Sequence, residues 1–247
     1  MKILLLDIET SPNSAHVWGL FNQNIGLPQL LESSYVLCWA AKWLDKDEVI
    51  WRRSHGKNGV RRIGMLKEIH KLLEAADVVV HYNGAKFDIP TLHKEFILHG
   101  IVRPAPSKQI DLLTVARTQF KFVSNKLDYV AQTLKLGRKT KHQGHEMWIQ
   151  CMAGDADAWK TMEDYNKQDV VILEKLYHKL LPWMKTHANR TLYGEDLVCP
   201  TCGHEDYQRR GYAFSSAGKY ARYQCKGCAG WFRGSINERR GEKFTAI

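Results

Sequence analysis

The sequence predicts a mixed α/β domain followed by a small cysteine-rich module, and three observations carry that prediction. Short apolar runs of strand length crowd the first fifty or so positions, amphipathic stretches of helical period crowd the later ones, and one apolar strand returns between the helices. Four of the six cysteines form two Cys-x-x-Cys pairs, Cys199/Cys202 and Cys225/Cys228. A chain of 247 residues has room for one medium domain and a small appendage.

Each element follows from local pattern. Residues 3–6 form an apolar run suited to a buried strand; 15–21 and 35–44, rich in Val, Trp and Tyr, read as further strands, and 48–53 as a fourth. After the turn at 56–59 the period changes: Ile63, Leu66, Ile69, Leu72 and Leu73 predict a helix over 60–75. The strand 78–81 comes next and is broken by Asn83-Gly84, and the helix 90–99 ends at Gly100. Helices are expected over 110–120 and 126–136, then a basic segment 137–145, then a long helix near 159–181. The organisation expected is a mixed-sheet domain over 1–185, a polar connection over 186–198 and the cysteine module over 199–247.

Composition narrows the function. The 36 Lys+Arg against 26 Asp+Glu give a net charge of +10, and a positive field of that size favours a polyanionic partner. The segment 199–247 carries 9 basic against 4 acidic residues, half of the whole excess. A 44% hydrophobic content excludes a wholly disordered chain. No apolar stretch nears the roughly 18 residues of a membrane span, and the run 3–6 is cut short by Asp7, so a cytoplasmic, reducing location is expected. In such a compartment the paired cysteines have metal spacing rather than disulfide spacing.

Acidic residues stand where the pattern expects interior. Asp7 directly follows the first strand, and Glu9, two residues on, shares its face if the strand continues. On the long helix Asp169 occupies the apolar stripe of Met162, Tyr165, Ile172, Leu176 and Leu180, one turn after Tyr165. Asp88 precedes Pro90 at a helix start, where it is either a plain N-cap or a functional group. Buried carboxylates need a cation, a shared proton or a metal, and clustered hard oxygens suit Mg²⁺ or Mn²⁺.

Together Asp7-Ile8-Glu9-Thr10, the segment 81–92 with Asn83 and Phe87-Asp88-x-Pro90, and Tyr165-x-x-x-Asp169 resemble the three exonuclease motifs of the DEDD superfamily in its Tyr-containing subgroup. The middle motif is most similar to proofreading exonuclease domains of family B DNA polymerases. The resemblance spans about 1–185 and implies a ribonuclease-H-like mixed sheet flanked by helices, with 3′→5′ removal of nucleotides by a stand-alone enzyme. It implies that Asp7, Glu9 and Asp169 bind one Mg²⁺ or Mn²⁺, that Asp7 bridges to a second, and that Asp88 serves the second directly or through water. Tyr165 would orient the attacking water. Thr10, Asn83 and Phe87 are candidates for holding the 3′-terminal nucleotide; for Asn83 and Phe87 the alternatives are a turn residue and a core aromatic.

The two cysteine pairs, 22 residues apart, predict a closed four-thiolate zinc ribbon. Arg209, Arg210, Lys219, Arg222, Lys226 and Arg233 interleave with Tyr212, Phe214, Tyr220, Tyr223 and Trp231, a pattern that suits either nucleic-acid binding or a ribbon's own small core. The segment 138–145 either lines the strand path or is a solvated loop. The function expected is hydrolysis of single-stranded 3′ ends, with DNA favoured. An exoribonuclease and a non-catalytic adaptor are the alternatives.

Overall fold

A computed structural model describes residues 1–44, 46–54, 59–138, 140, 144–194, 197–216 and 218–238. Two compact units divide it at Leu176/Tyr177. The first contains β1 (Ile3–Thr10), β2 (Ser14–Ala15), β3 (Leu30–Glu32), β4 (Val36–Trp43), β5 (Ile50–Arg53), α1 (Gly59–Ala75), β6 (Val78–His81), α2 (Asp88–Leu98), β7 (Lys108–Asp111), α3 (Leu112–Gln119), α4 (Leu127–Thr133), α5 (His145–Ala153) and most of α6 (Ala156–Leu180).

Five strands form a mixed sheet in the order β5-β4-β1-β6-β7. β1 is its centre, antiparallel to β4 and parallel to β6, and β6 is parallel to β7. The two-residue period of β1 sends Leu4, Leu6 and Ile8 to one face, where they join Trp39 and Ala41 of β4 and pack against Met65, Leu66 and Ile69 of α1 and Leu92 and Phe96 of α2. On the other face Leu37 and Cys38 of β4 pack with Met147 and Cys151 of α5 and Trp159, Met162 and Tyr165 of α6. Asp7 and Glu9, out of phase with Leu6 and Ile8, are therefore turned toward the α6 side. The mixed α/β sheet flanked by helices is the architecture the sequence predicts.

Two predicted elements are corrected. Only Ser14–Ala15 of the expected strand 15–21 region pairs, with β3, while Trp18, Leu20 and Phe21 are 99%, 89% and 83% exposed. Both neighbours of β1 are already β4 and β6, so beyond Ala15 this apolar run joins no ladder. The expected helix 110–120 starts late: Lys108–Asp111 pairs with β6 as strand β7, and Asp111 then caps α3 by accepting from the Leu113 N–H at 3.0 Å. A four-residue strand of mainly polar residues has no periodicity to announce it. Helix α5 carries no pattern that predicts it. The expected stop after α2 is present, with Gly100 at φ +65°, a conformation that favours glycine. Of the expected turn 56–59, residues 56–58 lie outside the described ones, as do Lys139, Lys141, His142 and Gln143 of the basic segment.

The second unit, from Tyr177, holds the three-stranded antiparallel ribbon β8 (Tyr207–Phe214), β9 (Lys219–Cys225) and β10 (Trp231–Asn237), in the order β10-β9-β8. The polar connection expected over 186–198 contains a 3-10 turn, Arg190–Tyr193, capped by Asn189. Among the described residues no helix is long and apolar enough to cross a membrane.

Trp39 is the largest fully buried side chain of the sheet, and its indole N–H donates to the Met65 carbonyl at 3.1 Å. Trp39→Ala leaves a void between β4 and α1 and should destabilise the chain by about 3–5 kcal/mol, read as a lowered urea midpoint at constant slope.

Candidate functional site

Strand β1 and helix α6 together build a cluster of acids. Carboxylate oxygens of Asp7, Glu9 and Asp169 all lie within 4.8 Å of one another. Asp169 is 2% exposed, and Tyr165, one turn earlier, is 7% exposed with its ring edge against Trp148 at 6.1 Å. Small residues make the room: across the β1/β4 ladder Ala40 stands beside Asp7 and Cys38 beside Glu9. Ionised carboxylates at such separations would repel by about 3–4 kcal/mol per pair at an effective dielectric near 20, a cost that a cation held among them would offset. The thiol of Cys38 registers the same field. Its pKa lies well above the usual range, first through complete burial and then through the charges of Glu9 and Asp7.

Asp88 approaches from the opposite layer. It is the first residue of α2, 4% exposed, and its Oδ1 accepts from the Ile8 N–H at 3.1 Å, between the two acids of β1 in sequence. It is not one of the three carboxylates gathered within 4.8 Å. Burial pushes its pKa up to about 7; the Ile8 N–H opposes that rise and the charge of Asp111 adds to it. The N-cap position belongs to Phe87, and the Asp88 carboxylate is engaged with β1. The Phe87 ring is 44% exposed, which removes the core-aromatic reading. Asn83 sits at φ +67° with its N–H donating to Asp111 Oδ1 at 2.9 Å, so it is a turn residue whose side chain is exposed. At Gly84 a Cβ would come 2.5 Å from the His81 ring, which is why this turn needs glycine. Thr10 ends β1 at the point where its register with β4 shifts.

Sequence reasoning missed two supporting residues. Asn166 is fully buried and its Nδ2 donates to Asp7 Oδ2 at 2.6 Å, tethering the first carboxylate to α6. Its position between Tyr165 and Asp169 was the available signal. Asp111 accepts from both the Asn83 and Leu113 N–H groups, tying the β6–α2 turn to the start of α3; sequence offered no hint, because β7 itself was not legible. A buried cation is nearby in the fold, but the Lys42 ammonium is ion-paired with Glu174.

In the second unit, ligand atoms of Cys199, Cys202, Cys225 and Cys228 also lie within 4.8 Å of one another. Sγ–Sγ separations are 3.6 Å for Cys202/Cys225 and 3.9 Å for Cys199/Cys228, and all four are free thiols. The Cys228 N–H points at Cys225 Sγ and the Gly230 N–H at Cys228 Sγ, each at 3.4 Å, an arrangement that favours thiolates. Four convergent sulfurs fit tetrahedral zinc, and three convergent carboxylates fit a hard divalent cation. The knuckle is braced from within its unit by the Arg190 N–H donating to the Pro200 carbonyl at 2.8 Å.

Comparison with known proteins adds a family. Residues 31–181 match the family RNase_H_2, described as RNase_H superfamily. No curated protein matches the chain. Among solved structures, the family B DNA polymerase from the hyperthermophilic archaeon Pyrobaculum calidifontis is similar with a TM-score of 0.55 at 19% identity, over 73% of this chain and 24% of the polymerase. The chain thus spans about a quarter of that protein's length, and the likeness is one of fold.

Two outcomes follow from this geometry. Asn166→Ala should lower Mn²⁺ affinity by about 10- to 100-fold in isothermal titration, because Asp7 loses its tether; unchanged affinity would show that the tether is dispensable. Elemental analysis should find one zinc per chain. Cys202→Ser should abolish it and expose the β8–β10 amides to hydrogen exchange.

Proposed function

Starting from a chain that belongs to the RNase H superfamily, we propose that it is a metal-dependent 3′→5′ exonuclease acting on single-stranded DNA ends. The observation that carries this reading is the gathering of Asp7, Glu9 and Asp169 within 4.8 Å. The match to the three DEDD motifs supports it, and so does the net charge of +10. Asp7, Glu9 and Asp169 would hold one Mg²⁺ or Mn²⁺, with Asp7 shared with a second and Asp88 serving that second directly or through water. The chemistry such a pair supplies is neutralisation of charge at the scissile phosphate and acidification of the attacking water.

The remaining steps belong to side chains. Tyr165 orients the water through its hydroxyl; a phenol is a poor general base at neutral pH, so its role is positioning. Its position on α6, one turn before Asp169, supports that role. The exposed Phe87 ring is free to stack on the terminal base, Thr10 to meet the terminal sugar, and the outward Asn83 amide to hydrogen-bond the nucleotide. The four thiols would hold one structural zinc, which persists in the reducing cytoplasm proposed as the chain's location.

One gel tests the proposal: labelled single-stranded DNA and RNA, each with Mg²⁺ or Mn²⁺ and with EDTA. Metal-dependent laddering from the 3′ end of DNA is expected; laddering of RNA alone would make the enzyme an exoribonuclease, and binding without laddering would make it an adaptor. Asp7→Asn and Asp169→Asn should each lower turnover by roughly 10²–10³-fold or more while circular dichroism is unchanged. Tyr165→Phe should lower it by about 10²-fold with metal affinity intact.

A further inference from the structure

The zinc-ribbon sequence left two readings of its aromatic and basic residues open, and strand register separates them by face. Cross-strand partners share a face. On one face Tyr207 pairs with Cys225, and Tyr223 with Phe232. The rings of Tyr207, Tyr223 and Phe232 meet at 5.2–5.5 Å, beside the buried Ala221 and Cys225. That face is the ribbon's own small core.

The opposite face is different. It carries the row Gln208, Gln224 and Trp231, the cross-strand pair Arg222 and Arg233, and Tyr220. Arg210 joins it, its guanidinium against the Gln208 amide. Arg222 lies over the Trp231 ring at 5.1 Å and Arg233 over Tyr220 at 4.0 Å. Trp231 is 52% exposed, and the three arginines are exposed. Among the described residues Glu238 pairs with Arg209 and Asp206 with Lys226, and no ion pair reaches Arg210, Arg222 or Arg233.

Like charges placed directly across a ladder destabilise a sheet, so the Arg222/Arg233 pair makes physical sense when an anion bridges it. Arginine forks match phosphate oxygens, and aromatic rings such as the exposed Trp231 and the half-buried Tyr220 offer stacking surfaces for bases. We propose that this face of the ribbon is a docking platform for single-stranded nucleic acid, with Arg210, Arg222 and Arg233 on phosphates and Trp231 and Tyr220 stacking on bases. The choice of a nucleic-acid occupant rests on the nuclease reading above; the surface itself does not depend on catalysis.

The test uses the full chain carrying Asp7→Asn, so that the probe is not consumed, titrated by fluorescence anisotropy with labelled oligothymidylate or oligouridylate of about 20 nucleotides. Adding Arg222→Gln and Arg233→Gln should weaken binding about tenfold or more near 0.1 M salt and reduce the salt slope by about 1.4, at roughly 0.7 for each phosphate no longer neutralised. Trp231→Ala, on the outer strand, should weaken it about tenfold with the slope unchanged. Arg222→Lys with Arg233→Lys should keep the slope. Zinc content of one per chain in each variant certifies the fold; if the arginine pair loses zinc, Trp231→Ala reads the same surface. Affinity and slope unchanged in the zinc-loaded variants overturn the platform, as does a zinc-loaded parent that binds neither oligonucleotide. Loss of the proposed catalysis shows separately, as absent laddering by the unmodified chain, and leaves this binding measurement standing. Comparable or unequal affinity for the two oligonucleotides, each lost in the variants, supports the platform and tells which sugar it accepts.

Discussion

Mutual repulsion among Asp7, Glu9 and Asp169 is the constraint around which the first unit is arranged. Three carboxylates within 4.8 Å are held there by elements that have other reasons to be where they are. β1 is fixed as the central strand by ladders on both sides and by Leu4, Leu6 and Ile8 beneath α1 and α2. α6 is fixed by Met162, Tyr165 and Trp159 against the other face. Burial of those apolar groups offsets the electrostatic strain, which a doubly charged cation would relieve.

The surrounding residues fit this logic. Ala40 and Cys38 leave space beside the two acids of β1, where larger side chains would close it. Asn166 orients one Asp7 oxygen, while the Asp88 carboxyl, raised to about 7 by burial, is held against the backbone of the same strand. Lys42, the buried cation in the sheet, is committed to Glu174. A site built this way has its oxygens already oriented, which would lower the reorganisation needed to bind a cation.

The second unit solves a different problem. A ribbon of three strands has little interior for independent stability, and a metal held by its four convergent thiols would substitute for a larger core. Because one face then needs only three aromatic rings to complete that core, the other is released from packing duty and carries its arginines and rings outward.

Much of this was legible in sequence because it depends on short-range periodicity. The two-residue alternation of β1 and the helical spacing of Tyr165 and Asp169 are local properties, as are the Cys-x-x-Cys pairs, and they fixed the acids, the thiols and the mixed α/β class. What failed was everything decided by availability of partners. The apolar run 15–21 looked like a strand but beyond Ala15 had no ladder to join, and Lys108–Asp111, whose last two residues read as the start of a helix, found β6 beside it. The convergence of β1 with α6, the grip of Asn166 on Asp7, the attachment of Asp88 to Ile8 and the division of the ribbon into two faces are all contacts between residues far apart in the chain. Sequence determines which side chains an element offers and on which side; only the folded chain decides which element stands opposite, because that follows from the competition of all elements for the same buried surface.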